Sequence, residues 1–364
     1  MDAKFFSDRG FRFSGSQLFL GLGIALSVGS LLLDSSSGRS FWSIQSLTLP
    51  LWVCTLAAAM LGSWVVPLLR DLKAGQVIRE DGPQSHLKKA GTPTMGGLFF
   101  VPVALAIAVL WSGFSTHVLA VAALTLAYAG IGWLDDWQIL RYKSNKGISP
   151  RTKLALQITF SVLFCLWALL TQPASLTSVA LPFGWVIPLG ILFWPLAGFV
   201  LVAESNATNL TDGVDGLAGG TVAIALLGLG AFIAPTHPDL ALFAACLSGG
   251  CLGFLAHNHN PARVFMGDTG SLALGGALGA IAILSNTLWV LLVVGAIFLV
   301  ETLSVIAQVT YYKATKGPDG IGKRLFKMSP FHNHLELSGW SETQIVAAFY
   351  GISAALAGLC LLLR

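Results

Sequence analysis

The sequence predicts an all-α protein, a polytopic bundle of about eleven transmembrane helices. Its 364 residues are 55% hydrophobic and 10% charged, whereas soluble domains carry about 25% charged residues. The mean hydropathy is +0.75, and several apolar stretches approach the ~20 residues that cross a bilayer core. Length alone would suggest two or three soluble domains, but these stretches predict one bundle embedded in lipid.

Eleven apolar segments have polar or turn-forming flanks and are therefore predicted as spans. The first follows Lys4, Arg9 and Arg12 without a clear signal-peptidase site, so we expect a retained helix. The ninth and tenth are separated only by residues 285–287, and one bent helix is the alternative there. The segments are residues 17–33, 50–69, 97–112, 118–134, 154–170, 185–203, 217–234, 240–257, 271–285, 288–311 and 344–363.

Positive charge sorts the connecting segments onto two sides of the membrane. One side holds 19 of the 21 Lys and Arg residues, and only Arg39 and Arg364 lie on the other. Because cytoplasmic loops collect Lys and Arg, we expect that basic side, with the N-terminus, to be cytoplasmic. The net charge of +4 then reflects topology, and we expect no nucleic-acid partner. The basic side comprises residues 1–16, 70–96, 135–153, 204–216, 257–270 and 312–343.

Two further features are assigned structural roles. The five cysteines all lie within apolar segments, which argues against a disulfide framework or a cysteine-based zinc site. Gly275 and Gly279 are four residues apart in the ninth segment, a small-residue spacing that favours close packing of transmembrane helices.

The conspicuous polar motifs all fall on the predicted cytoplasmic side, beginning with Asp135 and Asp136. These carboxylates end a predicted span, where the negative pole of the helix dipole and their mutual repulsion both disfavour them. A cation would offset both effects, and Mg²⁺ prefers such oxygen ligands. The alternative is a solvated helix end neutralised by Arg141 or Lys143.

Asp268 lies in the motif Gly267-Asp-Thr-Gly-Ser271, immediately before the ninth span. The start of the following helix offers free N–H groups and a positive pole, which suit a phosphate. The alternative, which we favour for this motif taken alone, is that Asp268, Thr269 or Ser271 caps the helix.

The stretch 206–216 between two spans is rich in hydrogen-bonding side chains and contains no Lys or Arg. Asn and Asp side chains suit recognition of a sugar or of a base edge. An Asx turn followed by a capped helix explains any single residue of the stretch, but not the whole set. These residues are Asn206, Asn209, Thr211, Asp212 and Asp215.

The stretch 88–97 joins Lys88 and Lys89 to a Thr-Pro-Thr turn and paired glycines. Point charge and backbone N–H groups together can hold a phosphate, but the spacing does not match a P-loop, which excludes a P-loop nucleoside triphosphatase. The alternative is that Lys88, and likewise Lys146 and Lys153, serve only the positive-inside distribution.

His332, Asn333 and His334 lie in a predicted loop together with Glu336. In an extended chain the two histidines would point the same way. Zinc lacks a clear third ligand, so we favour substrate contact or acid–base chemistry, with a surface histidine pair as the alternative. Glu301 falls within a span, where a functional role and a buried hydrogen bond are both open.

Together these motifs resemble those of the phospho-N-acetylmuramoyl-pentapeptide transferases, which belong to the polyprenyl-phosphate N-acetylhexosamine-1-phosphate transferases. The resemblance runs from about Gly75 to the C-terminus. It divides the single membrane domain into an extra N-terminal helix and loop, 1–49, and a family-like catalytic bundle of about ten spans, 50–364. The motifs are Gly91-Thr-Pro-Thr-Met-Gly-Gly97, Asp135-Asp136, 206–216, Val264-Phe-Met-Gly-Asp-Thr-Gly-Ser271 and Pro330-Phe-His-Asn-His-Leu-Glu336.

The resemblance implies a Mg²⁺-dependent reaction in peptidoglycan synthesis. UDP-N-acetylmuramoyl-pentapeptide would give its phosphosugar to undecaprenyl phosphate, forming lipid I and UMP. We expect the enzyme in the inner (plasma) membrane of a bacterium, in contact with membrane lipid, with its active site facing the cytoplasm. The oligomeric state stays open, with a homodimer as one alternative.

The resemblance also implies roles for individual residues. Asp268 would bind Mg²⁺, and Asp135 and Asp136 would hold the metal or activate the lipid phosphate. Lys153 would lie near the lipid phosphate, and His332, which we count among the catalytic candidates, near the sugar and peptide. The remaining substrate-binding candidates are Lys89, Thr94, Asn206, Asn209, Asp212, Asp215, Asn258, Phe265, Asn333 and His334.

Two positions depart from the family pattern. Ile139 stands where a lysine is usual, and Asn333 replaces the middle of three histidines, so that position cannot supply an imidazole base.

Among rival functions, a polyprenyl-phosphate N-acetylglucosamine-1-phosphate transferase is the nearest. A secondary transporter would place its polar residues near the midplane, and a structural scaffold would not explain the clustered carboxylates.

Overall fold

The computed structural model describes residues 13–72, 89, 91–142 and 147–364. This part of the chain contains thirteen α-helices and one two-stranded hairpin, β1 (Ser178–Ala180) with β2 (Val186–Pro188). The helices are α1 (Gly15–Ser36), α2 (Thr48–Asp71), α3 (Gly97–Trp111), α4 (Thr116–Tyr142), α5 (Pro150–Thr171), α6 (Phe193–Thr211), α7 (Leu217–Ile233), α8 (Pro238–Asn258), α9 (Gly267–Leu284), α10 (Leu288–Val294), α11 (Ala296–Ala314), α12 (Phe331–Leu337) and α13 (Glu342–Leu362).

The helices confirm the predicted all-α polytopic membrane fold, although fewer of them than eleven span a membrane as straight helices. Within the described ranges, eight helices are long and apolar enough to cross, and α10 with α11 would make a ninth despite a 74° bend. The other two predicted spans, α3 and α7, have 15 and 17 residues. At about 1.5 Å per residue they are shorter than a ~30 Å hydrocarbon core.

Several predicted boundaries differ from the structure, and two predicted spans, 185–203 and 288–311, also differ in shape. The span expected over 185–203 begins only at Phe193, because Pro188 ends strand β2 and Gly190 adopts a φ of 53°. The ninth and tenth spans are separate helices, so the alternative of one bent helix across 285–287 is wrong. The bend lies instead inside the tenth span, at Gly295 between α10 and α11.

The centre of the bundle is formed by α7, α8 and α9, which are buried along almost their whole length. Glycine makes this packing close: a Cβ added at Gly249 would lie 2.0 Å from the carbonyl oxygen of Leu51. A Cβ at Gly275 would lie 2.4 Å from the carbonyl oxygen of Glu204, and Gly279 packs on Leu201. The packing role predicted for the Gly275 and Gly279 pair is therefore confirmed, and it fixes α9 against α6.

At one end of the bundle, a buried carboxylate joins α1 to α2. Asp34 is 2% exposed and accepts hydrogen bonds from the backbone N–H groups of Leu47 and Thr48. The hydroxyls of Ser46 and Thr48 also donate to it, and Arg39 pairs with it at 2.9 Å. Asp34 thus caps the start of α2 from another helix, which satisfies N–H groups that have no partner within their own helix.

Candidate active site

Asp268 is the meeting point of side chains from three helices at the other end of the bundle. It lies in the first turn of α9, which begins at Gly267, whereas the sequence placed it just before the helix. Lys153 of α5 forms an ion pair with its Oδ2 atom, and Asn209 of α6 donates a hydrogen bond of 2.7 Å to its Oδ1 atom. The same amide donates to Ser271 at 2.8 Å. The structure therefore brings together three residues that the sequence predicted separately.

The N-terminus of α9 is capped by Asp136 of α4, not by Asp268. The Oδ1 atom of Asp136 accepts the N–H of Asp268 at 3.2 Å, and its Oδ2 atom accepts the N–H of Thr269 at 3.0 Å. The Thr269 hydroxyl donates to the same Oδ2 atom at 2.6 Å. The expectation that the first N–H groups of α9 are free for a phosphate is therefore wrong for these two. The side chain of Asp268 is left to face Lys153 and Asn209.

Asp135 faces the carboxyl group of Asp268 and lies near Lys153. Its Oδ1 atom accepts the N–H of Ile148 at 3.0 Å. The expectation that Asp135 and Asp136 end a helix is wrong, because α4 continues to Tyr142. Their position depends instead on the close approach of α4 to α9: a Cβ added at Gly132 would lie 2.1 Å from the carbonyl oxygen of Asp268.

The donor set around Asp268 fits a magnesium ion with two protein ligands. The carboxyl groups of Asp135 and Asp268 face each other with one ammonium group, that of Lys153, beside them. Mg²⁺ is usually held by one or two carboxylates together with substrate phosphates. Both oxygens of Asp136 already accept hydrogen bonds from α9. In the described part of the chain, no three His, Cys, Asp or Glu residues form a ready-made metal site.

The stretch 206–216 is divided between a helix and a loop, because α6 continues to Thr211. Asn209 faces Asp268, whereas the amide of Asn206 donates to Gln157 of α5 at 3.1 Å and so joins the two helices. Asp212 follows the end of α6. Burial, and then the negative charges of Asp268 and Asp136, raise the pKa of Asp212 to about 8. A bound cation would act in the opposite direction and favour its charged form.

Lys89 lies in a second cluster, between two carboxylates. Its Nζ atom is 2.8 Å from Asp215 and 2.7 Å from Glu342, which is the first residue of α13. The amide of Asn260 donates to both carboxylates, at 3.2 and 3.1 Å. Burial acts to lower the pKa of Lys89, but the two carboxylates outweigh it and raise that pKa above its usual value. The ammonium group is therefore held in its charged form.

The N-terminal helix reaches this second cluster. Gly15, the first residue of α1, is so close to Asn260 that an added Cβ would lie 2.0 Å from its carbonyl oxygen. One turn later, the ring of Phe19 lies 5.5 Å from that of His259. The helix that the sequence set apart from the catalytic bundle thus supports the segment that contacts Asp215 and Glu342.

The loops that carry Thr94 and Phe265 are paired through their backbones. Phe265 donates its N–H to Pro93 and accepts the N–H of Gly96, both at 2.8 Å. The N–H of Gly97 is bonded to Met266, so the expected use of these two glycine N–H groups for phosphate is wrong. Thr94 is buried beside Gly267.

Asn258 links the second cluster to the loop that carries Phe265. Its side-chain oxygen accepts the N–H of Gly216 at 3.0 Å, and its amide donates to the carbonyl oxygen of Val264 at 2.8 Å. The first bond holds the backbone next to Asp215, and the second holds the backbone next to Phe265. Candidate donor-pocket residues from distant parts of the chain are therefore fixed relative to one another.

The histidine motif is helical, so the prediction that His332 and His334 point the same way is wrong. Residues two positions apart on an α-helix point in directions about 200° apart around its axis. His332 is 1% exposed, and its Nδ1 atom lies 3.2 Å from Glu301. His334 instead packs against Phe326 and accepts the N–H of Lys327. Asn333 is buried as well, so the structure does not gather the three residues on one pocket wall.

Glu342 and Asn260 contact site residues and were not predicted from the sequence. Glu342 belongs to a capping box formed by Ser341 and Gln344, so its local pattern is already explained by a helix start. Its partner Lys89 is 253 residues away in the chain, and no local pattern can indicate such a contact. Gln157 was missed for the same reason, and Thr269 and Ser271 were considered only as helix caps.

Two family models match parts of the chain. The family model described as Glycosyl transferase family 4 matches residues 118–286, a range that contains Asp135, Lys153, Asn209 and Asp268. A second model, described as Phospho-N-acetylmuramoyl-pentapeptide-transferase signature 1, matches residues 89–101, which include Lys89.

Curated relatives match almost the whole chain. A protein of Nostoc punctiforme is 66% identical over 99% of this chain and 100% of its own length, and one of a Nostoc species is 67% identical over 99% and 98%. A protein of Synechococcus elongatus is 59% identical over 98% of both chains. All three are named phospho-N-acetylmuramoyl-pentapeptide-transferase, and the matched regions of the first two include α1. At this similarity over its full length, the chain belongs to the phospho-N-acetylmuramoyl-pentapeptide transferase family.

Proposed function

We propose that this protein transfers phospho-N-acetylmuramoyl-pentapeptide from its UDP-linked donor to undecaprenyl phosphate, forming lipid I and UMP in peptidoglycan synthesis. The observation that carries the proposal is the convergence of Asp135, Lys153 and Asn209 on Asp268 at one end of a membrane bundle. Phosphoryl transfer needs charge neutralisation and positioning more than covalent groups from the protein. The names of the full-length relatives support this choice of substrate.

The site is proposed to face the cytoplasm. Asp268 and its partners lie in the segments that the sequence assigns to the basic side, which carry 19 of the 21 Lys and Arg residues. Cytoplasmic loops are enriched in these residues. The opposite end has the Asp34 and Arg39 pair between α1 and α2. A site at the cytoplasmic boundary of the plasma membrane suits a water-soluble donor and an acceptor whose tail lies in lipid.

The proposed reaction is a direct displacement at phosphorus. An oxygen of the lipid phosphate attacks the phosphorus that carries the sugar, and the bond from that phosphorus to the bridging oxygen breaks. The bond's electron pair leaves on the oxygen of UMP. Lys153 attracts the lipid phosphate by charge, and Asp135 accepts a proton from that phosphate when it arrives protonated. Asn209 holds Asp268 in place by its hydrogen bond.

We propose that Asp268 and Asp135 hold Mg²⁺ and that Asp136 does not. A bound Mg²⁺ would neutralise the negative charge of the diphosphate. Asp136 instead keeps α9, and hence Asp268, in position through its bonds to Asp268 and Thr269. Lys89, Asp215, Asn258 and Phe265, with Thr94 behind them, would form the nucleotide side of the donor pocket.

The test is UMP release by the purified protein with undecaprenyl phosphate and either UDP-N-acetylmuramoyl-pentapeptide or UDP-N-acetylglucosamine. We expect turnover of the first donor only, dependent on Mg²⁺ and abolished by Asp268→Ala. Asp319→Ala, in an exposed loop, is the matched control and should keep full activity. Turnover of UDP-N-acetylglucosamine alone would reassign the substrate, and full activity of Asp268→Ala would remove that residue from the mechanism.

The direct route is tested separately by quenching the protein after incubation with labelled donor and no acceptor. We expect no phosphosugar attached to the chain. Isolation of a covalent phosphosugar on Asp135 or Asp136 would replace the direct displacement by a two-step mechanism.

A further inference from the structure

Glu301 is a fully buried carboxylate on α11 whose role the proposed reaction leaves open. Its exposed fraction is 0%, and a buried carboxylate is strongly unfavourable unless it is paired and hydrogen-bonded. The partners of Glu301 therefore indicate what it does.

Within the described ranges, the hydrogen bonds that the Glu301 carboxylate accepts come from the start of α12. The N–H of Phe331 donates to Oε2 at 2.7 Å, and the N–H of His332 donates to Oε1 at 3.1 Å. The Nδ1 atom of His332 lies 3.2 Å from Oε2. The carboxylate thus fixes the backbone at His332 by hydrogen bonds and lies against one edge of its ring.

The other side of the same ring supports the loop of the donor pocket. A Cβ added at Gly213 would lie 2.2 Å from Nε2 of His332 and 2.7 Å from its Cε1 atom. Gly213 stands directly between α6 and Asp215, and it adjoins Asp212. Because the ring is 1% exposed, it fills the space between α11 and this loop and has no open surface toward a substrate.

We propose that Glu301 and His332 are positioning residues that together hold the 212–215 loop, and with it the donor-binding carboxylate of Asp215. Glu301 orients the ring from one side, and the ring supports Gly213 on the other. His332 then acts through the loop. It is not the acid or base of the reaction, although the sequence had suggested such a role. This inference rests on the proposed function, since it concerns the pocket for the UDP-linked donor.

The first test is a substitution at Gly213 that leaves the chemical groups of the site intact. Gly213→Ala places a methyl group against the ring, so we expect the KM for the UDP-linked donor to rise about tenfold, within the range for coupled neighbours. The kcat and the KM for undecaprenyl phosphate should stay within about twofold. Gly198→Ala, on α6 with no atom within 4 Å of the added Cβ, is the matched control and should change neither constant.

A double-mutant cycle separates support from acid–base chemistry. In a His332→Ala background the ring is gone, so Gly213→Ala should cause no further rise in the donor KM. Independent losses that simply multiply would overturn the proposal. So would a His332→Ala variant that lowers kcat alone and leaves the donor KM unchanged, because that pattern belongs to a residue acting on the transition state.

Glu301→Gln supplies the third measurement. The amide retains one acceptor oxygen but turns an N–H group toward the donors of α12, so we expect a donor KM raised in the same direction as in Gly213→Ala. An unchanged donor KM would overturn the role of Glu301. If this variant fails to fold, the Gly213 and His332 cycle still decides the proposal. If the wild-type protein itself did not turn over the UDP-linked donor, that result would contradict the proposed function and not the positioning role.

Discussion

Substituting Asp135 and Asp136 one at a time by Asn should separate stability from activity at two neighbouring positions. The two carboxylates are adjacent on α4, and Asp→Asn changes charge with almost no change in shape. Asp136, which is 4% exposed, accepts three hydrogen bonds from the start of α9. Asp135 accepts one backbone N–H, from Ile148, and faces the like charge of Asp268.

The expected magnitude follows from these partners. Asp136→Asn keeps one acceptor oxygen and turns an amide N–H group toward donors of α9, so at least one charge-assisted bond of about 1.5–3 kcal/mol is lost. Loss of an N-cap adds about 0.5–2 kcal/mol. We therefore expect the free energy of unfolding to fall by about 2–5 kcal/mol. Asp135→Asn keeps an acceptor for Ile148 and removes a repulsion, so its stability should not fall.

The assay compares the free energy of unfolding in mixed micelles with Mg²⁺-dependent UMP release for both variants. We expect Asp135→Asn to lose activity at wild-type stability, and Asp136→Asn to lose activity together with stability. Asp319→Asn serves as the control for a change of one charge. If Asp136→Asn kept wild-type stability and lost only activity, the capping role assigned to Asp136 would be refuted, and a direct role on metal or substrate would replace it.

Two further predictions concern the second cluster and the contact between α4 and α9. Since the pKa of Lys89 is raised above 10.5 despite burial, its ion pairs contribute stability that is complete below that pH and is lost as pH rises through the raised value. Glu342→Gln should therefore move the alkaline loss of thermal stability to lower pH, and a shift to higher pH would contradict the pairing. Gly132→Ala should push α9 away and lower kcat severely. Gly130→Ala, on the same helix with no atom within 4 Å of the added Cβ, should not, and equal effects in kinetic assays would contradict the packing argument.

The sequence predicted the long helices well because each is an apolar run between polar segments, and hydropathy acts over the whole run. It failed over residues 185–192, where the run stays apolar but Pro188 and Gly190 form a hairpin end and a turn. The predicted ends of α4 and α6 also come too early, because the polar residues Asp135 and Asn209 were assigned to the connecting segments. These residues continue their helices because they face other helices and not water.

The site was predicted as a set of residues but not as a set of contacts. Asp135, Lys153 and Asp268 were all identified, since carboxylates and lysines at a membrane boundary are conspicuous. The sequence did not predict that Asp136 caps α9 while Asp268 faces Lys153, because this depends on the distance between α4 and α9. The contact of Lys89 with Glu342 likewise depends on the packing of α13 and has no local signature.

Three buried carboxylates of this protein cap a helix to which they do not belong, and this separates structural from reactive acids. Asp34 caps α2, Asp136 caps α9 and Glu301 caps α12, and each accepts two backbone N–H groups. Such N–H groups are fixed to a helix start and cannot leave when a substrate arrives.

Asp268, by contrast, is held by the side chains of a lysine and an amide, and Asp135 by one N–H of a loop. Flexible side chains can turn away to admit a cation or a phosphate. The partners of each acid, and not its place in a motif, are therefore the reason why we propose Asp135 and Asp268 as the pair available for chemistry.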